Sequence, residues 1–167
     1  MRRRILAVTT ALMVMIGAVP AQAHEVSRSE LKELRAVTAP YRSLDAALAA
    51  GFVAFSLDPA DPDTPTCFDS PDGGMGVHYV RNIDGIVDAN DPEAMVYEVK
   101  EDGSLKLVAV EYIVPETEVD PANPPILFGH EFHPHPFLPV WILHVWVWRA
   151  NPSGTFADYN PDVRPCP

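Results

Sequence analysis

The sequence predicts an α+β fold: an N-terminal helical segment packed on a curved antiparallel sheet or partial barrel. Three observations carry this expectation. Apolar residues recur at helical spacing only near the start of the mature chain, in SRSELKELRAV. Further on, apolar runs of strand length follow one another: GMGVHYV, AMVYEVK, LKLVAVEYIV and VWILHVWVW. The second and third of these runs are separated by Glu101-Asp102-Gly103-Ser104, a turn composition that joins antiparallel neighbours.

Residues 1–23 read as a secretory signal. Arg2, Arg3 and Arg4 form a basic start, Ile5 to Val19 is apolar but short for a membrane span, and Ala21-Gln22-Ala23 fits a cleavage site. The cleavage box argues against an uncleaved anchor. The paired arginines only faintly resemble a twin-arginine leader. No cysteine follows the cleavage site to take a lipid, and no later segment is long and apolar enough to span. The expectation is a protein with no membrane anchor, secreted or periplasmic after cleavage near Ala23. Residues 24–167 then form a single α+β domain, a length suited to one core.

Over residues 25–50, Ser27 with Glu30 three positions later fits a capping box, and Leu31, Leu34 and Val37 share a helical face. Pro40 interrupts, Ser43 caps a short second helix from Asp45 to Ala50, and Gly51 ends it. FVAFS (52–56) is a short strand. DPADPDTPTCFDSPDGG is a solvated loop; its prolines forbid calcium-loop geometry for Asp58, Asp61 and Asp63. Strands follow at 75–80, 94–100 and 105–114. Pairing Lys100 with Leu105 sets Ala94 opposite Glu111 and Glu98 opposite Leu107, with Glu98 solvent-exposed near the hairpin end. Residues 115–139 hold seven prolines and read as an extended arm or lid rather than a core element. Residues 140–148 are apolar on both faces, as in a central strand. The tail is turn-rich and ends at Cys166.

Loss of the three leader arginines takes the formal charge from -11 to -14. That balance argues against nucleic acid and anionic lipid as partners, and leaves a small molecule or a protein. Cys67 and Cys166 are the two cysteines. In an oxidising compartment they are expected to form one disulfide, with metal ligation the less favoured use in the absence of a C-x-x-C pair.

The sharpest functional lead is a set of ionisable residues inside apolar strands: His78, Glu111 and His144. Unpartnered, each would cost several kcal/mol, on the order of a lost buried hydrogen bond or more. Two histidines and a carboxylate are also a common transition-metal ligand set. Alternation puts His78 on the face of Gly76 and Val80, Glu111 on that of Ala109 and Ile113, and His144 on that of Ile142, Trp146 and Trp148. The bland alternative is a polar cluster that staples strands together. Zinc is the default ion by ligand type, with copper or iron as alternatives.

GHEFHPHP adds His130, His133 and His135. Extended chain puts His133 and His135 on one side, and His133 is the arm's candidate to complete the strand cluster. The competing view is an exposed loop that binds metal adventitiously. Cleavage after Ala23 would also leave His24 as an amino-terminal chelating arm. That resembles the copper brace of lytic polysaccharide monooxygenases, from which the helix-forming run after His24 departs. A G-x-S-x-G elbow is absent, and Gly73, Gly74 and Gly76 precede a strand rather than a helix, so neither a serine nucleophile nor a phosphate loop is indicated.

The segments YRSLDAALAAGF, GMGVHYV, LVAVEYIVP, ILFGHEF and LHVWVWRANPSGTFADYNP resemble a group of small exported bacterial proteins with no assigned activity. The resemblance covers most of the mature chain. It implies export and a single domain, and no catalytic residue or cofactor. The functional expectation is an exported protein that binds a transition metal through His78, Glu111 and His144, with His133 as an outside candidate ligand and a metalloenzyme of unassigned reaction as one form of it. The alternative is a non-enzymatic secreted binding module for a small apolar ligand or a protein partner.

Overall fold

A computed structural model describes residues 26–167; the leader and His24 lie outside the described residues. The chain opens with α1 (Arg28–Thr38), a 3-10 turn (Ala39–Arg42) and α2 (Leu44–Ala49). The capping box is present: Ser27 Oγ accepts from the Glu30 backbone N–H at 3.2 Å, and Glu30 Oε2 accepts from the Ser27 N–H at 2.7 Å. Leu34 and Thr38 are the buried positions of α1, while Val37 is 38% exposed and lies off the buried stripe. Pro40 tightens the chain into the 3-10 turn, Ser43 stands at the start of α2 without a side-chain cap bond, and Gly51 turns the chain out at φ 90°.

Nine strands follow: β1 (Val53–Ala54), β2 (Cys67–Ser70), β3 (Gly73–Val80), β4 (Ala94–Val99), β5 (Leu105–Pro115), β6 (Ile126–Leu127), β7 (His130–Glu131), β8 (His133–Pro134) and β9 (Val140–Val145). Seven of them make one antiparallel sheet in the order β1-β3-β4-β5-β9-β8, with β2 sharing the outer edge of β3. The sheet is open and only weakly curved, so the fold is α+β without barrel closure. FVAFS supplies only two strand residues, and part of the Pro/Asp/Gly loop becomes β2. Cys67 and Cys166 are joined, their Cα atoms 5.7 Å apart, so the C-terminus is tied to β2.

Both faces of the sheet are covered. On the helix side, Leu34, Ala47 and Phe52 pack with Met95, Tyr97, Tyr112 and Val145. Each large side chain buried this way stabilises the fold by about 1.5–3 kcal/mol. The proline-rich arm contributes here, contrary to expectation: Phe128 and Phe132 are buried in the same core. Phe128 and Gly129, both at positive φ, form the two-residue turn between β6 and β7, and His133-Pro134 pairs with Ile142-Trp141 as an edge strand. Trp148 also turns to this side, where its Nε1 donates to Thr38 Oγ1 at 3.1 Å. It lies past the end of β9, so strand alternation no longer governs it.

Two β-bulges shape the other face. In the β4–β5 hairpin Ala94 faces Glu111, but the register slips by one between Val96 and Tyr97, so Glu98 faces Lys106 and not Leu107. In β3, Met75 is the extra residue opposite β2, and Gly76 takes φ 112° beside it. A Cβ at Gly76 would run into the Tyr97 carbonyl. Glu98 is buried, not solvent-exposed: the tail folds across it, so that Arg149 Nη1 at 3.1 Å, Lys100 Nζ at 3.3 Å and the Arg164 N–H at 3.2 Å all donate to its carboxylate. This removes Glu98 from any solvent-facing role and gives it a structural one.

Candidate metal centre

His78, Glu111 and His144 project from β3, β5 and β9 onto the face opposite the helices, and all three are buried. Glu111 and His144 are directly opposed across the β5–β9 pair. His78 sits opposite Val96 on β4, two strands from Glu111, and reaches it diagonally. Strand spacing sets β3 and β5 roughly 9–10 Å apart. The residue of β4 in the Glu111 row is Ala94, whose methyl leaves that space open.

The atoms converge. His78 Nε2 is 3.4 Å from Glu111 Oε2 and 3.5 Å from His144 Nε2, and His144 Nδ1 is 3.4 Å from Glu111 Oε1. One ligand atom from each residue lies within 4.8 Å of the others, the one such group of three among the described residues. A tetrahedral ion with N and O ligands at about 2.0–2.2 Å holds neighbouring ligand atoms about 3.3–3.5 Å apart. His78 Nε2 stands at that spacing from His144 Nε2 and from Glu111 Oε2, whereas the 3.4 Å approach of His144 to Glu111 uses the other ring nitrogen and the other carboxylate oxygen; one atom from each of the three lies within 4.8 Å of the others, close enough to share an ion. His78 Nδ1 and His144 Nδ1 have no aligned hydrogen-bond partner; His144 Nδ1 is near Glu111 Oε1 but off the bonding direction.

Burial sets the protonation. It pushes the Glu111 carboxyl up to about 8, helped by the charges of Asp158 and Glu93. It pulls the His144 imidazole down to about 4 against the attraction of Asp158, and holds His78 well below its ordinary value, with His144 and His135 adding to the effect. At neutral pH the metal-free cluster is thus a protonated acid with two neutral imidazoles. Two neutral imidazoles are ready ligands, and the carboxyl has one proton to lose.

Asp158, in the tail, is a participant that sequence reasoning missed. Its Oδ1 is 3.8 Å from His144 Nδ1 and accepts from His133 Nε2 at 3.0 Å. Burial raises the Asp158 carboxyl, but the His133 hydrogen bond and the nearby histidines bring it below its ordinary value. That hydrogen bond in turn raises His133. A carboxylate behind the far nitrogen of a ligating histidine is the usual arrangement that fixes its tautomer and orientation. No periodicity marks Asp158, because ADYN lies in irregular chain. Glu93, whose Oε2 accepts from the Ile113 N–H at 2.9 Å, is a second buried acid not singled out from sequence.

The arm histidines divide. His133 stands outside the converging group, with its Nε2 on Asp158. His135 lines a cavity of about 60 Å³ together with His78, Glu111, Phe68 and Leu138. His130 is exposed and stacks on Phe156 at 3.8 Å between ring centroids. The cavity opens onto His78 and Glu111, while the fully buried His144 is not in its wall, so an ion held by the three would be reached from the His78–Glu111 side.

Among the described residues no helix is long and apolar enough to cross a membrane. Comparison with known proteins finds no family model, no curated relative and no solved structure that matches this chain.

Proposed function

We propose that this is an exported protein that binds one transition-metal ion, zinc by default, through His78, Glu111 and His144. The observation that carries the reading is the convergence of two buried imidazoles and a buried carboxylate from three separate strands, one ligand atom from each within 4.8 Å of the others. Three protein ligands with a fourth position on a cavity is the pattern of catalytic rather than purely structural zinc sites, so metal-assisted chemistry on a small molecule is part of the proposal. Copper and iron take the same ligand types and share the reading. The disulfide fits an oxidising compartment and supports export. The test is metal analysis of protein purified without a polyhistidine tag, before and after incubation with zinc, cobalt and copper. Close to one equivalent, lost in His144→Ala, supports the reading. Less than about a tenth of an equivalent with no uptake removes it.

A second reading has its own observation. The cavity wall is mostly apolar (Phe55, Phe68, Met75, Ile83, Leu138), which suits a binding module for a small apolar ligand without any metal. Ligand uptake unaffected by chelator would favour it.

A further inference from the structure

The cavity beside the three strand residues has a chemistry of its own. Its lining side chains are apolar except for His78, Glu111 and His135, and no lysine or arginine lines it. Phe68 forms one side, stacked against Phe55 and Phe137 at 6.2 and 6.3 Å, with His78 edge-on to it at 5.5 Å. Ile83 is 40% exposed and sits at the rim. The cavity is small, about 60 Å³, and open at one side, so a small head group fits inside with any longer part in the mouth.

Charge bookkeeping narrows the occupant. A divalent ion brings two positive charges; Glu111 offsets one directly, and Asp158, already the partner of His133, lies 3.8 Å from His144. An anionic ligand would be stripped of water in an apolar cavity that has no lysine or arginine and has the ionised Glu111 in its wall, which is costly. A neutral ligand avoids that cost. His135 adds a direction. Its Nδ1 accepts from the Leu138 N–H at 3.1 Å and the Phe137 N–H at 3.4 Å, so the neutral ring carries its proton on Nε2, as a donor. A ligand oxygen is the matching group.

We infer that the cavity takes a small uncharged molecule with an apolar body and one carbonyl or hydroxyl oxygen, the oxygen meeting the ion held by His78, Glu111 and His144. The inference rests on the metal reading above.

Cobalt(II)-loaded full-length mature protein provides the test, with propanamide and propanoate as probes of the same shape and different charge. Cobalt loading is read first from its visible d–d absorption, and ligand approach from paramagnetic broadening of the probe protons against a zinc-loaded control. The expected result is broadening of propanamide with a Kd at least tenfold lower than that of propanoate. Ile83→Trp, at the rim, should abolish broadening while leaving the cobalt absorption unchanged. Equal or tighter binding of propanoate overturns the inference, as does cobalt absorption with no broadening of propanamide. Absence of cobalt absorption overturns the metal reading, and this inference with it.

Discussion

Glu111 and His144 face each other directly across β5 and β9, with Glu111 Oε1 3.4 Å from His144 Nδ1. A buried acid opposite a buried imidazole could settle as an ion pair or as two neutral groups. Desolvation decides for the neutral pair: among the described residues the only further polar neighbour the two share is His78, at 3.4 Å from Glu111 and 3.5 Å from His144, too long to offset two buried charges. That choice sets the response to pH and to metal.

Metal-free protein should lose stability as pH rises from about 6.5 to about 8. An unfolded glutamate ionises near 4.5, whereas Glu111 keeps its proton to about 8 and Glu93 to about 7. Between those values the folded state binds more protons, so stability falls with rising pH. His78 and His144 act in the opposite sense, since their folded values are depressed from 6.5, His144 to about 4. Their contribution is lost as pH falls below 6.5, and between about 4.5 and 6.5 the two effects oppose each other. Urea denaturation across pH 5–8.5 should show a plateau and then a decline of several kcal/mol, on the order of 1.4 kcal/mol per pH unit for each such group. Glu111→Gln should reduce the decline.

Metal affinity should move the other way. Glu111 must lose its proton to become a ligand, so binding releases one proton below about pH 8. The apparent Kd should drop about tenfold per pH unit from pH 6.5 to 8. Competition titration with a chromogenic chelator measures this, and a pH-independent Kd would rule out the acid as a ligand.

Asp158→Asn should weaken metal binding by about 10–100-fold, the usual effect of removing a carboxylate behind a ligating histidine. His133→Ala leaves Asp158 in place and should cost less. A competition titration of the two variants orders them, and equal losses would mean that His133 is itself a ligand.

Gly76→Ala should destabilise by about 2–4 kcal/mol, because the bulge needs φ 112° and the Tyr97 carbonyl occupies the space of the added methyl. Its particular signature is on the site: His78 is two residues on, so metal affinity should fall more than in a variant of equal instability on the helix side, such as Leu34→Ala. Chemical denaturation and metal titration on both variants make the comparison.

Reduction of the Cys67–Cys166 bond releases a loop of 99 residues in sequence separation, worth up to about 4–5 kcal/mol of stability in the chain-entropy picture. Urea midpoints of oxidised and reduced protein measure it. The three strand residues should stay together after reduction in the fraction that stays folded, since β3, β4, β5 and β9 pair without the bridge, while Asp158, in the tail that Cys166 pins, is the part of the site that loosens.

Much of the site was legible because strand alternation is rigid. Once Ala94 was set opposite Glu111, that acid's face followed, and His144 in VWILHVWVW had to be buried whichever way the strand turned. The capping box at Ser27 and the cysteine pairing were equally local inferences. What escaped the sequence has a common cause. The bulge after Val96 and the one at Met75-Gly76 each insert a residue that no hydrophobic pattern announces, and the first moved Glu98 off its expected partner. Phe128 and Phe132 were hidden in a proline-rich stretch whose composition speaks for exposure. Asp158 and the tail over Glu98 depend on tertiary return of irregular chain, pinned by Cys166, where spacing carries no information about contact.

X-ray absorption at the zinc edge, on tag-free protein loaded with one equivalent, reads the three ligands themselves. The expected spectrum shows two imidazole nitrogens and one carboxylate oxygen at about 2.0–2.1 Å, with one further light-atom ligand, and loses its imidazole scattering signature in the His78→Ala, His144→Ala double variant. A six-oxygen shell, or an imidazole signal that persists in that double variant and vanishes only when His130, His133 and His135 are replaced, would contradict it.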